Sequence, residues 1–237
     1  MDAVSGRNKK GTTPVQQTHQ RVVICGAGVI GAAVAYYLSL RGVEVTLVER
    51  CGVACAASGK AGGFLALDWC DGSPLASLAR KSFSLHAQLA QTLGIDYGYR
   101  RLTTLGVAVN AQEPGQPRQL PAELAWLDAQ GVPYTVLGTP ETTAQVHPAQ
   151  FTKALLQAAQ ARGARLHLGC VEGLDVAHGR VQGVQVDGQC LPADAVVVER
   201  REYGDLHGYL QRVLHGESVV AEGPAAWEVL QREARAA

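Results

Sequence analysis

The sequence lacks several features that would point to particular classes of protein. Its 237 residues carry 21 basic and 21 acidic side chains, and a net charge of zero gives no electrostatic footprint for nucleic acid or an anionic membrane. No apolar run approaches the length of a transmembrane helix. With 47% hydrophobic residues, the chain is nevertheless long enough to bury one or two cores. We therefore expect neither nucleic acid nor a membrane among its partners.

The first twenty residues lack a hydrophobic segment, so they do not form a secretory signal. They are polar, carry Arg7, Lys9 and Lys10, and are poor in acids. We expect residues 1–20 to be a disordered tail of a cytoplasmic protein. A transit peptide for the chloroplast or the mitochondrion remains the alternative.

The cysteines show neither a C-x-x-C pair nor the spacing of zinc ligands. Without a secretory signal, we expect reduced thiols and no metal site. Cys51 and Cys55 flank the small-residue loop described below, so a redox role for this pair remains an alternative. The six positions are Cys25, Cys51, Cys55, Cys70, Cys170 and Cys190.

What the sequence does contain is a strand, a glycine turn, a helix and a second strand within residues 22–50. The β-branched run at residues 22–24 is typical of a strand buried on both faces. Gly26, Gly28 and Gly31 follow at the G-x-G-x-x-G spacing. In that pattern the glycines permit a tight turn, close approach of the backbone to a pyrophosphate, and close packing of helix on strand. The N-terminus of the helix then directs N–H groups at the phosphates.

The helix after the glycines is predicted to bury one apolar stripe. That stripe consists of Ile30, Ala33, Val34, Tyr37 and Leu38.

Glu49 ends the second strand, about 20 residues past the glycines, where a carboxylate can accept hydrogen bonds from an adenosine ribose. A 2′-phosphate would be repelled by this carboxylate, so we expect an unphosphorylated ribose. The strand, the helix and the acid together supply the context that a glycine triad alone lacks. An ordinary βαβ unit that binds nothing is the alternative.

A run of small residues, Ala57 to Gly63, follows with the sequence ASGKAGG. Small residues expose backbone N–H groups and allow a bulky ring system to lie against the chain. Ser58 and Lys60 carry donors suited to phosphate oxygens. A nicotinamide-binding domain would more often continue into a further helix and strand, so this run favours FAD. A low-complexity loop without function is the alternative.

The stretches GAGVIGAAVAYYL, LVER and ASGKAGGFLA together resemble the D-amino-acid oxidase-like family of FAD-dependent oxidoreductases, in its glycine oxidase and sarcosine oxidase group. ACAASGKAGGFLALDWCDG and YGYRRLTTL are similar to a plant and algal branch. The resemblance implies that FAD meets three groups of residues. The pyrophosphate meets Gly26, Gly28, Val29, Ile30 and Gly31. The adenosine meets Glu49 and Arg50. The segment that would run along the pyrophosphate and the ribityl chain toward the flavin consists of Ser58, Gly59, Lys60, Ala61, Gly62 and Gly63.

The resemblance continues from His147 through a predicted helix whose apolar stripe includes Phe151 and Leu155 and whose end is Gly163. Residues 166–168 would form the next strand. The resemblance then implies that the backbone of Val171 pairs with the adenine ring. A meander with a hairpin turn at residues 187–188 leads to a strand at residues 195–198 that adds to the parallel sheet.

The implied fold class is α/β, with a Rossmann-like FAD/NAD(P)-binding domain of the glutathione-reductase type and a partial α+β substrate domain. Residues 21–72 and 146–198 are assigned to the FAD-binding domain and residues 73–145 to the substrate domain. Within residues 73–145, a helix opened by Pro74 is expected to carry an apolar stripe, a strand is expected at residues 105–109, and an exposed loop at residues 113–121. The predicted stripe comprises Leu75, Leu78, Ala79, Phe83 and His86.

The sequence YGYRR places Tyr97, Tyr99 and Arg100 where they could line the substrate side of the flavin, since an arginine beside tyrosines suits a carboxylate. Exposed edge residues are the commoner explanation for such side chains. We expect His86 and His147 to pack or cap rather than to act as bases.

The pattern of the family stops after Val198. The family continues through a long second half that binds the substrate carboxylate and caps the flavin ring, whereas residues 199–237 are charged and match no motif of it. We favour a truncated or altered product over a branch-specific interaction tail.

In a complete member, the resemblance implies oxidation of a C–N bond of an amino acid or amine, with hydride transfer to the flavin. No catalytic residue is identified, because this chemistry needs no conspicuous acid/base pair. We expect part of an FAD site with weak or no oxidase activity. A non-catalytic binding or regulatory protein and an NAD-dependent dehydrogenase are the alternatives.

Overall fold

The computed structural model of the chain describes residues 20–107 and 134–198. Their centre is a four-stranded parallel sheet of β1 (Arg21–Cys25), β2 (Glu44–Glu49), β8 (Arg165–Leu168) and β12 (Ala195–Val198), in the order β12-β1-β2-β8. The inner strand β1 pairs with β2 on one side and β12 on the other, so Val23 lies opposite Thr46 and Val196. The expected α/β fold with a buried parallel sheet is confirmed.

Helix α1 (Val29–Ser39) connects β1 with β2, but it buries a different face from the predicted one. Ile30, which heads the predicted stripe, is 60% exposed, and the rest of that stripe is only partly buried. The buried positions are Gly31, Ala32, Ala35, Tyr36 and Ser39. Apart from Tyr36 these are small residues, which allow the helix backbone to approach its neighbours closely, whereas a stripe of bulky residues would prevent this.

Helix α4 (Pro148–Gln160) packs against α1 on the same face of the parallel sheet. Its predicted stripe is confirmed, since Phe151, Ala154, Leu155 and Ala158 are all buried. The chain leaves the helix through Gly163, whose φ of +97° favours glycine.

The opposite face of the parallel sheet is covered by a three-stranded antiparallel sheet of β9 (Val171–Ala177), β10 (Arg180–Val186) and β11 (Gln189–Pro192). Val184 and Val186 pack there against Val23 and Val48. The predicted hairpin is confirmed between β10 and β11, where Asp187 and Gly188 have φ of +48° and +75°. Positive φ at both central residues is the geometry of a type I′ turn, which matches the twist of the two strands.

The segment between these parts forms two smaller sheets and two helices. Strands β3 (Phe64–Ala66) and β4 (Arg100–Arg101) both pair with β7 (Thr143–Gln145), and β5 (Thr104–Val107) pairs with β6 (Tyr134–Gly138). A short helix α2 (Ala57–Lys60) lies in the predicted small-residue run, and α3 (Ala76–Thr92) follows β3.

The predicted stripe of α3 is wrong at its start. Leu75 and Leu78 are 57% and 59% exposed, whereas Phe83 is buried. The first turn of the helix therefore extends beyond the core, and the helix packs only from its middle onward.

The expectations for residues 1–19, 108–133 and 199–237 lie outside the described residues, including the loop at 113–121 and the C-terminal segment. The division into two domains stays a prediction. None of the helices in the described ranges is long and apolar enough to cross a membrane.

Candidate cofactor site

The glycine turn between β1 and α1 lies at the carboxyl end of the parallel sheet. Gly26 has a φ of +120°, and its N–H donates to the carbonyl oxygen of Val48 at 2.8 Å. Because that φ is strained for any residue with a β-carbon, glycine is needed here to turn the chain into the helix. The turn is thereby held against the end of β2, beside Glu49.

The N-terminus of α1 opens at this turn. Gly28 is the N-cap, and as a glycine it has no side chain that could cap the helix. The first turn of this helix contains no acidic residue. The amides of the first turn have no partner within an α-helix. Ser58 supplies one, because its Oγ accepts from the Val29 N–H at 2.9 Å. The remaining first-turn amides and the positive end of the helix dipole favour an anion.

Glu49 is 4% exposed and holds the loops around this helix end together. Its Oε2 accepts from the N–H of Ala27 at 2.8 Å, and its Oε1 accepts from the N–H of Cys51 at 3.0 Å. Its backbone oxygen accepts from the N–H of Gly169 after β8. The carboxylate thus binds protein amides directly beside the glycine turn, and its contact with a ribose stays a prediction.

The segment after β2 folds back onto the glycine turn. Ala54 donates its N–H to the carbonyl oxygen of Ala27 at 3.1 Å and has a φ of +57°. Gly52 has a φ of +142°. The small-residue run that begins at Ala57 then forms the single helical turn α2, which brings Ser58 to α1.

The three glycines of this run serve different purposes. A β-carbon on Gly59 would lie 2.1 Å from the carbonyl oxygen of Ala54, and one on Gly63 would lie 2.1 Å from that of Val146. Gly63 also has a φ of +74°. A β-carbon on Gly62 would meet no heavy atom nearer than 3.6 Å. The protein's own packing therefore requires Gly59 and Gly63, whereas space is open at Gly62.

The other predicted site residues lie around the same end of the sheet. Arg50, Lys60 and Ala61 are exposed. Val171 is half-buried and begins β9, where it pairs with Val186.

The cysteine expectation is wrong for two of the six residues. Cys51 and Cys55 form a disulfide, with their Cα atoms 6.6 Å apart, although the sequence predicted reduced thiols. The fold of the intervening loop, which spacing in the sequence does not reveal, brings the two sulfurs together. The other four thiols are unpaired, and burial raises the pKa of Cys25 to about 11.

The residues of YGYRR, for which an exposed edge was the favoured explanation and the substrate side the other, separate in the structure. Tyr97 is 1% exposed and its ring lies 5.1 Å from that of Phe151, so it belongs to the core rather than to an exposed edge. Burial, and secondarily Tyr99, raises the pKa of Tyr97 to about 12. Arg100 is exposed and donates to Gln145.

Tyr97 and Tyr99 also line a shallow depression of about 260 Å³ beside α3. The hydroxyl of Tyr99 is buried there without a hydrogen-bond partner in the described structure. Apart from the two tyrosines, nothing in the sequence indicated this depression.

The two histidines behave as expected. His86 packs its ring 4.7 Å from that of Phe151, and burial lowers its pKa, which favours the neutral form. His147 is the N-cap of α4, and its Nδ1 accepts from the N–H of Gln150 at 3.4 Å.

Comparison with known proteins places this geometry in a family. The family model described as DAO, FAD dependent oxidoreductase, matches residues 21–198. The chain belongs to this family. The cofactor of the DAO family is FAD, as the small-residue run predicted.

Relatives and solved structures agree with this assignment. A putative oxidoreductase of Schizosaccharomyces pombe is 36% identical over 149 residues, which cover 59% of this chain and 38% of that protein. The bifunctional protein ThiO/ThiG of a Nostoc species is 33% identical over 198 residues, covering 75% of this chain and 30% of that protein. The glycine oxidase of Bacillus cereus has a TM-score of 0.66 at 27% identity and is matched over 81% of this chain and 59% of its own.

The glycine oxidase of Geobacillus kaustophilus has a TM-score of 0.62 at 26% identity, covering 80% of this chain and 58% of its own. The chain thus spans about a third of the two curated relatives and about six tenths of the two glycine oxidases.

The residues of the DAO-family site fit an FAD molecule by the chemistry they offer. The first turn of α1 offers backbone amides of the kind that bind a pyrophosphate, and Ser58 has a hydroxyl at the same point. Ile30 in the same turn is 60% exposed, so apolar surface is available for a bound group to cover. Glu49 lies at the end of β2, which suits the adenosine end.

Proposed function

We propose that this chain binds the adenosine diphosphate part of FAD at the N-terminus of α1. The observation that carries the proposal is the meeting of three features at one end of the sheet. They are the Gly26 turn, the first turn of α1, which contains no acidic residue, and the buried carboxylate of Glu49 at the end of β2. An anion at this helix end gains both hydrogen bonds and the helix dipole.

The reaction proposed for the family member is oxidation of a C–N bond in a small amine or amino acid. The two glycine oxidases that the chain resembles support this substrate class. FAD, when bound, supplies the hydride acceptor, and the protein's task is to bind, orient and exclude water. The adenosine contacts of Glu49 and Arg50 and the backbone contact of Val171 are part of this proposal.

We further propose that this chain turns substrate over weakly or not at all. Arg100, which could have lined the substrate side of the flavin, is exposed and hydrogen-bonds Gln145, and no carboxylate clamp is identified among the described residues. A non-catalytic binding protein is therefore the second candidate. A cytoplasmic location and the plant or algal branch also stay predictions.

A charge placed at the helix end tests the cofactor position without disturbing the fold. Ile30→Glu puts a carboxylate in the first turn of α1, at a side chain that is already exposed. An acid there favours the helix dipole, so the melting temperature should be kept or raised. The same charge repels a pyrophosphate, and we expect about tenfold or more weaker FAD binding than in the matched neutral variant Ile30→Gln.

The measurement is titration with FAD, followed by flavin fluorescence and the absorption spectrum, with NAD as the competing dinucleotide. Equal FAD affinity in the two variants would show that the pyrophosphate lies elsewhere. Bleaching of the bound flavin by a small amine or amino acid would favour an active oxidoreductase. A spectrum unchanged by a panel of such compounds would favour the non-catalytic candidate.

A further inference from the structure

Two cysteines and one buried acid lie together at the proposed adenosine end of the site. Cys51 and Cys55 form a disulfide, and the Cys51 Sγ lies 3.3 Å from the Oε1 of Glu49. The two sulfurs and one carboxylate oxygen of Glu49 all lie within 4.8 Å of one another. Cys51 is exposed and Cys55 is half-buried, so both a small oxidant and a reductant can reach the pair.

The loop closed by this disulfide is the one that positions Glu49 and the glycine turn. The N–H of Cys51 donates to Oε1 of Glu49, while the N–H of Ala54 donates to the carbonyl oxygen of Ala27. Ala27 in turn donates to Oε2 of the same carboxylate. Any change in the loop therefore reaches both the carboxylate and the turn.

The backbone of this loop needs to be held in place. Gly52 and Ala54 both have positive φ, and for alanine that region is intrinsically unfavourable. A covalent link between residues on either side of them reduces the conformations open to the loop. Binding to a preordered loop costs less than binding to one that must be ordered.

We propose that the Cys51–Cys55 pair is a reversible oxidation site that sets the affinity for FAD, with the disulfide form binding more tightly. This inference rests on the proposed position of the adenosine diphosphate beside Glu49 and deepens it.

The oxidant we assign is hydrogen peroxide, and the step is balanced with two thiols. The thiolate of one cysteine attacks a peroxide oxygen and breaks the O–O bond, giving a sulfenic acid and, after protonation, water. The second thiol attacks that sulfur, the S–S bond forms, and the hydroxyl leaves as a second water molecule. The pair loses two electrons, which reduce one peroxide to two waters. A dithiol reductant reverses the change by thiol–disulfide exchange.

The other thiols of the described structure provide controls. Cys190 is exposed on the antiparallel sheet, where its Sγ lies 3.5 Å from Asp175, and it is unpaired. Cys190→Ser therefore removes an accessible thiol without touching the loop. Cys55→Ser removes the partner of Cys51 and leaves the Cys51 amide that donates to Glu49.

The experiment compares the full chain after treatment with hydrogen peroxide and after treatment with dithiothreitol. Peptide mass spectrometry should show a link between the Cys51 and Cys55 peptides only in the first sample. FAD titration should then show at least about fivefold tighter binding to the oxidised protein. Cys190→Ser should keep this difference, and Cys55→Ser should bind FAD as the reduced protein does under both treatments.

Linkage provides a second measurement that needs no variant. If oxidation tightens FAD binding fivefold, FAD must favour the disulfide fivefold. That factor lowers the reduction potential of the pair by about 20 mV, because tenfold corresponds to 29.6 mV for a two-electron couple. Redox titration in glutathione buffers with and without FAD measures this shift.

Three results would overturn the inference. Absence of the link after peroxide treatment, or equal FAD affinity of the oxidised and reduced forms, would remove it while leaving the proposed function intact. Failure of both forms to bind FAD would remove the inference together with the proposed cofactor position.

Discussion

Replacing Glu49 by glutamine tests the role of the buried carboxylate in the fold. The two side chains have the same shape, so the change alters charge and hydrogen bonding but creates no cavity. The carboxylate now accepts from two backbone amides, those of Ala27 at 2.8 Å and Cys51 at 3.0 Å. A glutamine has a single acceptor oxygen, so one amide N–H would face the side-chain NH₂ group instead.

The magnitude follows from the bond that is lost. A hydrogen bond to a charged group contributes about 1.5–3 kcal/mol, and a buried donor left without its acceptor costs a similar amount. We therefore expect Glu49→Gln to lower the free energy of unfolding by about 2 kcal/mol. For a chain of this size, that corresponds to a fall in melting temperature of about 4–8 °C.

The matched control is Glu44→Gln at the other end of the same strand. Glu44 forms an ion pair with Arg165 at 3.1 Å, and the two side chains are 39% and 70% exposed. Exposed pairs contribute little, so this variant should change the free energy of unfolding by less than about 1 kcal/mol. The assay is urea denaturation without FAD. If both variants unfold within about 0.5 kcal/mol of the wild type, the carboxylate does not hold the loops as we argue.

Three further changes test packing and charge elsewhere in the fold. Gly59→Ala places a β-carbon 2.1 Å from a backbone oxygen and should destabilise by about 1–3 kcal/mol, whereas Gly62→Ala, with nothing nearer than 3.6 Å, should be near neutral by thermal melting. Leu155→Ala, at a side chain 1% exposed in the core, should cost about 2–5 kcal/mol in urea denaturation, and a smaller loss would mean the site collapses around the cavity. Hydrogen bonds from Arg21 lower the pKa of Asp194 from 3.8 to about 2, so this pair stabilises the fold above about pH 4 and the contribution is lost as the pH falls through 2. Asp194→Asn should therefore flatten the dependence of stability on pH between 4 and 2, and an unchanged acid transition would contradict the pairing.

Much of the α/β fold could be predicted because its signals are local. A β-branched run, glycines at fixed spacing and a proline at the start of α4 act through the conformations of their own backbone. The turn at residues 187–188 is the clearest case, since Asp-Gly predicted a hairpin turn and the structure has one there, with positive φ at both positions. The small-residue run likewise indicated FAD.

The buried face of α1 shows where local signals fail. The sequence pattern favoured burial of the stripe headed by Ile30, yet Ile30 is exposed and Ala32 and Ala35 are buried. Which side of a helix is buried depends on how near the opposing surface lies. Close approach to β1 and α4 selects small residues, and periodicity of hydrophobicity does not record that distance.

The sequence by itself determined the strand, glycine turn, helix and strand of residues 22–50, the helix after His147, the hairpin at residues 187–188 and the family to which the chain belongs. Only the tertiary structure decided that Glu49 binds the amides of Ala27 and Cys51, that Cys51 pairs with Cys55, and that Tyr97 lies in the core. The physical reason is the range of the interactions. Backbone conformation is set by neighbouring residues, whereas a carboxylate, a thiol or a ring takes its partners from segments that only the folded chain brings within bonding distance.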